Sequence, residues 1–307
     1  MSVLDREPDV VEEGSDTTTP STSALIQSPI FLVASVLIIF SVLALGFLAN
    51  LLIVSQLVHA RDQEVVYSDF RSELANAVAP VGQTDVNGAI LSPGAPVAVL
   101  EIPDIGMKEV VVEGTTSTVM QSGPGHKRDT VLPGQAGTSV IYGRQAAFGG
   151  PFGQLEILQP GMVITATTGQ GLAEYRVVDV RRPGDPLPPA LEPGQGRLTL
   201  VTALGPRFMP TDLLRVDAEL VTPAQPAPPR VFNAASLEPA EQAMAGDPAG
   251  LVPLLLWLQL LLVVALATVW LVVRWGRWQA WLVAAPIIFF AGVMASMSAL
   301  QLLPNLL

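Results

Sequence analysis

Long apolar runs without charged side chains dominate the first and last parts of the chain. Residues 29–58 contain no charge over thirty positions, which as an α-helix is about 45 Å and exceeds the core of a bilayer. The residues before this run carry one Arg against six acidic side chains, whereas a cleaved signal peptide needs a basic leading region. Two further apolar runs, residues 251–273 and 279–303, are separated by a short turn. The pattern predicts a retained membrane helix followed, at the other end, by a transmembrane helical hairpin.

The charges in the hairpin turn predict how the chain crosses the membrane. Arg274 and Arg277 lie in this turn, and short loops that carry Lys and Arg stay in the cytoplasm. Three spans then place the middle region outside the membrane and the start of the chain inside. Residues 1–28 are polar and lack an apolar period, which is typical of a disordered cytoplasmic tail. Because no charge lies within any span, the sequence argues against transport or proton relay.

The region between the membrane runs alternates short β-branched segments with Gly and Pro turns. Residues 59–96 begin with apolar positions at helical spacing, so the first helix is expected to continue beyond the bilayer and end in a linker. Residues 97–221 predict a mainly β fold, a compact barrel or sandwich of seven or eight strands. The strand-like segments are VAVLEI, KEVVVEG, TSVIYG, MVITATT, AEYRVVDV, RLTLVT and LLRVDAEL. Residues 222–250 hold six prolines and predict a semi-rigid tether back to the membrane.

Composition excludes several functional classes. The chain has 307 residues and no Cys, so it contains no disulfide, no thiolate metal site and no cysteine nucleophile. Its two histidines, His59 and His126, are too few to favour a histidine-based metal centre, and no metal or cofactor is predicted. The net charge of -11 argues against a nucleic-acid partner, since phosphate binding depends on clustered Lys and Arg. The remaining partners are the lipid bilayer, a peptide or cell-wall ligand, and another membrane protein.

Five sequence strings occur in order along about residues 61–220: VAVLEIPDIG, VVVEG, SGPGHKRDTVLPGQAGTSVIYG, FGGPFGQL and GRLTLVTALG. Their order and spacing resemble the sortases, bacterial cysteine transpeptidases that join surface proteins to the cell wall or to pilin, and in particular the class D, E and F sortases of actinobacteria. The resemblance implies a sortase-like closed β-barrel of about eight strands, carried by transmembrane helices on the outer face of a bacterial plasma membrane. The excess of Arg over Lys, with much Ala, Gly and Pro, suits a GC-rich actinobacterium.

The resemblance also implies a catalytic site from which this chain departs. The family's chemistry needs a thiolate that attacks the substrate carbonyl and an acid/base His that protonates the leaving amine. In the string TLVTA, Ala203 stands where the family has its Cys. In the string VIYGR, Arg144 stands where the family has its His. The resemblance therefore implies a degenerate active site that has lost both reacting groups.

The family's third catalytic group, an Arg that opens the last strand, has no direct counterpart. Simple matching places Leu213 or Leu214 at this position, although Arg215 is close and Arg207 in the preceding loop could occupy the same space. Phe148, in an FGGPF string, is interpreted first as a packing residue and second as a ligand wall. The expected ligand groove is lined by Arg144, Phe148, Val201, Ala203, Arg207 and Arg215.

Other side chains offer poor replacements for the missing groups. Side chains alternate along a strand, so Thr202 is expected to point away from the groove, while Thr199 lies about 13 Å back from Ala203. His126 lies in a GPGH turn, where a turn-capping role is favoured over a catalytic one. Arg144 is expected either to line the groove and bind a carboxylate or to be solvated at a strand end. Ala203 is expected to leave an open but inert groove floor.

Three functions remain open for this pattern. The first is a pseudo-sortase, catalytically inactive, whose exported barrel binds a peptide, a cell-wall component or an assembly partner. The second is a hydrolase or acyl transferase that uses the groove without a cysteine, and the third is a structural subunit of a membrane complex. The paired loss at Ala203 and Arg144 favours the first. The last helix has small residues for close packing, within the chain by preference or else against a partner protein: Ala291, Gly292, Ala295, Ser296 and Ala299.

Overall fold

The computed structural model describes residues 41–307. The predicted cytoplasmic tail, residues 1–28, and the first part of the predicted first span, residues 29–40, lie outside the described residues. Within residues 41–307, three helical stretches are long and apolar enough to cross a membrane. They fall in helices α1 (Ser41–Ala75), α2 (Leu251–Trp275) and α3 (Arg277–Gln301).

Eight strands lie between α1 and α2: β1 (Pro96–Ile102), β2 (Met107–Glu113), β3 (Gly125–His126), β4 (Gly137–Tyr142), β5 (Val163–Thr168), β6 (Gly171–Arg181), β7 (Gly196–Leu204) and β8 (Asp212–Leu220). They close into a barrel in the order β1-β2-β3-β4-β7-β8-β6-β5, in which β1 also pairs with β5. The pairs β2–β3 and β4–β7 are parallel and the others are antiparallel. The expected mainly β fold with a closed barrel is confirmed.

The burial of β7 explains why the string RLTLVTAL lacks a period of two. Leu198 and Leu200 pack in the main core of the barrel, whereas Val201 and Ala203 belong to a second apolar cluster. Both faces of this strand are therefore covered, and alternation disappears. Seven of the eight strands correspond to segments expected from the sequence. The eighth, β3, has only two residues and is too short to produce a periodic signal.

Helix α1 continues past the apolar run and packs on the outside of the barrel. Phe70 is fully buried beside Val99 and Val110. The Gln63 side chain accepts a hydrogen bond from Val110 N at 2.7 Å and donates to Ser122 O at 2.6 Å. An amide side chain thereby pairs with the backbone of β2, which fixes the rotation of α1 against the sheet.

The proline-rich segment 222–250 is fastened to the barrel, in contrast to the tether expected from its composition. Gln83 Oε1 accepts hydrogen bonds from the backbone N–H groups of Val231 and Phe232 at 2.8 and 2.7 Å. The Arg128 guanidinium lies 4.2 Å from the centre of the Phe232 ring, and Thr115 Oγ1 donates to Glu241 O at 2.6 Å. Composition predicts that a segment lacks regular structure, but it does not predict which side chains hold it in place.

Helices α2 and α3 pack against each other, and small residues of α3 are buried. Ala291, Ala295 and Ser296 are buried within this chain, as expected for the intramolecular alternative. Trp257 and Phe290 add an edge-to-face contact with ring centres 5.8 Å apart. The other two members of the predicted small-residue face, Gly292 and Ala299, are partly exposed. Three of the five positions proposed for a partner protein are thus already occupied by the chain itself.

Candidate functional site

Parallel pairing of β4 and β7 brings the two degenerate positions to the same edge of the barrel. Tyr142 is the register partner of Val201, and Gly143 N donates to Val201 O at 3.0 Å. Arg144 and Ala203 each lie two residues beyond this register pair along the neighbouring chain segments. Gly143 is required here because a Cβ at this position would lie 2.3 Å from the Phe152 ring. The two positions that the sequence strings assign to the nucleophile and to the acid/base therefore lie at one place in the fold.

Ala203 forms the floor of this site, but the floor is covered. Its side chain belongs to an apolar cluster with Met120, Tyr142, Val201 and Leu306. Only 2% of Ala203 is exposed. The expectation of an open groove floor is wrong, because a leucine from the segment after α3 fills the space above the alanine.

Arg144 is buried rather than solvated, with only 1% of the residue exposed. Its Nη2 donates to Ser117 O at 2.7 Å and to Ser117 Oγ at 2.9 Å, and its Nε donates to Met120 O at 3.1 Å. Its Nη1 lies 3.5 Å from Leu307 O, and its Cζ lies 4.9 Å from the centre of the Phe148 ring. The prediction of a solvated strand-end residue is wrong, because oxygen acceptors and an aromatic face surround the guanidinium.

The charge of Arg144 excludes it as a replacement base. Among residues 41–307, no acidic side chain forms an ion pair with it. Burial lowers the pKa of Arg144 to about 9. The guanidinium therefore stays protonated at neutral pH, and a group without an available lone pair cannot accept a proton from a nucleophile or substrate.

Phe148 supports Arg144 from a constrained backbone position. Its φ is 50°, in the left-handed region that residues with large side chains seldom adopt. Its ring is buried with Leu51 of α1 and Leu300 of α3. The packing interpretation of Phe148 thus holds, and the same ring faces the Arg144 guanidinium. Helices from both ends of the chain meet the barrel at this point.

The two other expected arginines lie in different surroundings. Arg215 is half-buried and is the register partner of Val201, so it shares the groove face. Burial raises the pKa of Tyr142, as does Asp129, while the nearby Arg215 charge acts in the opposite direction. Arg207 is exposed in the loop between β7 and β8. The structure therefore brings Arg215 to the site edge and leaves Arg207 at the surface.

Neither threonine hydroxyl of β7 is directed at the space over Ala203. Thr202 Oγ1 donates to Gly143 O at 2.9 Å, on the face away from the apolar cluster, as predicted. Thr199 Oγ1 donates to Asp217 Oδ1 at 2.7 Å, and Asp217 is also paired with Arg181. Both hydroxyl groups are committed to acceptors that hold the barrel together.

His126 is a buried strand residue, so the prediction of a turn-capping loop histidine is wrong. Its Nδ1 lies 2.7 Å from Glu113 Oε2, and its Nε2 lies 2.9 Å from Val131 O. Burial disfavours the charged imidazolium, but the Glu113 carboxylate outweighs it and the pKa of His126 is raised. Since both ring nitrogens have partners within the barrel, His126 serves the fold and not an acid/base role.

Sequence reasoning missed the segment that completes the site. The residues after α3 form a hydrogen-bonded turn, Pro304–Leu307, in which Leu307 N donates to Pro304 O at 3.1 Å. We refer to these four residues as the 304–307 turn. Gln145 N donates to Leu306 O at 2.9 Å, and Ala147 N donates to Leu307 O at 3.3 Å. The Pro-Asn pair signals a turn in the sequence, but it carries no information about where that turn docks.

Comparison with known proteins agrees with this geometry. Residues 100–219 match the family model of the sortase domain. The barrel is a sortase domain. No curated protein matches the chain.

Solved structures similar to the chain are sortases of several classes. The sortase D5 transpeptidase of Clostridium perfringens is 23% identical, covering 54% of this chain and 99% of its own, with a TM-score of 0.42. Sortase C-1 of Actinomyces oris is 28% identical, covering 41% of this chain and 75% of its own, with a TM-score of 0.37. Sortase E1 of Streptomyces coelicolor, solved with a tripeptide in its active site, is 26% identical. The match covers 43% of this chain and 92% of the sortase, with a TM-score of 0.38.

Proposed function

We propose that this protein is a membrane-anchored pseudo-sortase: a sortase domain that does not catalyse transpeptidation and whose extracytoplasmic barrel binds a peptide, a cell-wall component or an assembly partner. The observation that carries the proposal is that Ala203 lies beside a buried, hydrogen-bonded Arg144 at the site edge. A methyl group supplies no nucleophile, and a guanidinium held by Ser117 and Met120 supplies no base. Binding needs neither group.

The proposed arrangement in the membrane has three spans with the barrel outside. Asp247 N donates to Gln301 O at 2.9 Å, so the start of α2 and the end of α3 lie together. Both ends of the hairpin therefore lie beside the barrel, and Gly276, between the helices, lies at the far end. Each helix has 25 residues and is about 37 Å long, enough to carry the Arg274 turn to the opposite side of a bilayer. An Arg-bearing short turn is favoured on the cytoplasmic side.

Turnover of a sorting-signal peptide tests the inactive assignment. The full-length protein, Ala203→Cys and the surface variant Ala190→Cys are purified in mild detergent and incubated with the peptide and an amine acceptor. Ala190 is exposed, so its cysteine controls for a thiol placed outside the site. We expect no cleavage or transfer from any of the three, because in Ala203→Cys no imidazole activates the thiol or protonates the leaving amine. Turnover by the unmodified protein or by Ala203→Cys alone would refute the proposal.

A further inference from the structure

The 304–307 turn occupies the space above Ala203 as a ligand would. Leu306 is fully buried among Met120, Tyr142, Val201 and Ala203. This apolar contact brings a side chain from beyond the membrane hairpin onto the sortase domain. A leucine-sized pocket on the barrel is therefore filled by the protein's own chain.

The polar groups around the pocket match a peptide backbone and a carboxamide side chain. Asn305 Nδ2 donates to Thr115 O at 2.6 Å and to Gln242 O at 2.9 Å, which uses both of its N–H bonds. Two carbonyl oxygens receive an amide here, and they would repel a carboxylate in the same place. The carbonyls of Leu306 and Leu307 receive the N–H groups of Gln145 and Ala147. The site thus binds three kinds of group from the turn: backbone carbonyls, one carboxamide side chain and one aliphatic side chain.

The site is built largely from residues that lie outside the 304–307 turn. Thr115, Gln145 and Ala147 belong to the sortase domain, and Gln242 belongs to the segment fastened beside it. Buried backbone donors and acceptors need partners whether or not this turn supplies them. Because the turn is tethered through α3, its effective concentration at the site is high, in the millimolar range or above for a short connection. A free peptide competes poorly until the turn is released.

We propose that the site above Ala203 is a peptide-binding site and that the 304–307 turn occupies it as an intramolecular ligand. The partner that replaces this turn is a polypeptide segment that presents an Asn–Leu pair in a similar turn. This inference rests on the proposed function and adds the chemistry and the regulation of the binding site. Release of the turn opens the pocket, and the partner segment re-forms the same amide and carbonyl contacts.

The absence of cysteine in the chain makes the occupancy directly measurable. In Ala203→Cys, thiol modification by a maleimide reports access to the pocket, and Ala190→Cys reports the reaction of an exposed thiol. Adding Leu306→Asp to Ala203→Cys places a carboxylate in the apolar pocket and favours release of the turn. We expect Cys at position 203 to react at least about tenfold faster in the double variant, with no change when Leu306→Asp is combined with Ala190→Cys. Equal rates with and without Leu306→Asp would overturn the occupancy.

A blocked peptide, acetyl-Pro-Asn-Leu-Leu-amide, then tests ligand chemistry on the opened double variant. We expect it to slow the modification of position 203 at least about fivefold at saturation, whereas acetyl-Pro-Asp-Leu-Leu-amide gives no protection. Protection by both peptides, or by neither, would overturn the carboxamide assignment. These outcomes are independent of the turnover assay: peptide cleavage would refute the inactive assignment, whereas unprotected labelling would refute only the binding inference.

A disulfide pair covers the case in which the Leu306→Asp variant does not fold. The full-length protein with Ala203→Cys and Leu306→Cys has no other thiol, so oxidation can join only these two positions. We expect an intramolecular disulfide that prevents maleimide modification of position 203 and that reduction reverses. A disulfide found only between two copies of the chain would overturn the intramolecular placement, because it would mean that the turn of a second copy fills the pocket. Failure to form any disulfide would overturn the placement of the turn.

Discussion

His126 and Arg144 are two buried basic side chains in the same barrel, and they are stabilised in different ways. His126 pairs with the Glu113 carboxylate at 2.7 Å and with Val131 O at 2.9 Å. Arg144 donates to neutral oxygen atoms of Ser117 and Met120, and no acidic side chain among the described residues pairs with it. Accordingly the pKa of His126 is raised, while that of Arg144 is lowered to about 9.

The two sites also differ in where their contacts come from. The contacts of His126 lie within the barrel, whereas those of Arg144 include residues from other parts of the protein. The partners of His126 all come from β2 and the loop after β3. The surroundings of Arg144 include Phe148, which packs on helices α1 and α3, and Leu307 of the 304–307 turn. The first site is complete within the domain. The second, at the degenerate position, is completed from outside it.

Replacing Arg144 with Leu is expected to have the largest effect on stability. The variant leaves the Ser117 and Met120 carbonyls buried without donors, which we expect to cost about 4 kcal/mol of unfolding free energy. Arg144→Lys keeps the charge but lacks the planar set of guanidinium N–H donors, so we expect it to lose less unfolding free energy than Arg144→Leu. Pulse proteolysis of the full-length protein across a urea series in detergent measures the change.

The matched control for this change is Arg207→Leu. Arg207 is exposed, so its replacement is expected to change the unfolding free energy by less than about 0.5 kcal/mol. An Arg144→Leu variant as stable as Arg207→Leu would mean that the buried guanidinium does not hold the site together.

Glu113→Gln is expected to weaken the self-contained site by about 2 kcal/mol at pH 6, because it removes the charge that compensates His126. The glutamine retains an oxygen that can accept from the imidazole, so the loss is smaller than for a truncation. We expect Glu113→Gln to leave unchanged the protection that the Asn peptide gives position 203 against thiol modification, whereas Arg144→Leu reduces this protection. A Glu113→Gln variant that loses peptide protection would show that the two sites are coupled.

The raised pKa of His126 also predicts how stability varies with pH. The folded state holds a proton that an unfolded histidine releases above about pH 6.5. This contribution to stability is complete below that pH and is lost as the pH rises through the folded pKa. Urea midpoints measured between pH 6 and pH 9 are expected to fall in the unmodified protein more than in His126→Asn. Parallel curves for the two proteins would contradict the assignment.

Much of the fold could be predicted from the sequence, since the helices and seven strands each leave a local periodic signal. The sequence strings also single out Ala203 and Arg144, because short segments around them resemble the sortase pattern. The environment of Arg144 could not be predicted, since most of its acceptors are backbone oxygen atoms of residues 24 and 27 positions away, which any residue type supplies. The 304–307 turn was missed for the same reason. Its contacts with Gln145 and Ala147 are also between backbone atoms, across a long sequence separation.

Two threonines of β7 give the finest test of the contrast between barrel and groove edge. Thr199 donates to the buried carboxylate of Asp217, whereas Thr202 donates to the neutral carbonyl of Gly143 beside Arg144. Since hydrogen bonds to charged groups are the stronger ones, we expect Thr199→Val to cost about 2 kcal/mol and Thr202→Val about 1 kcal/mol. Urea-series pulse proteolysis again reports the difference, with the same residue type, strand and substitution in both variants. A larger loss of unfolding free energy from Thr202→Val would mean that contacts at the groove edge contribute more to the stability of this domain than the internal charge pairs of the barrel do.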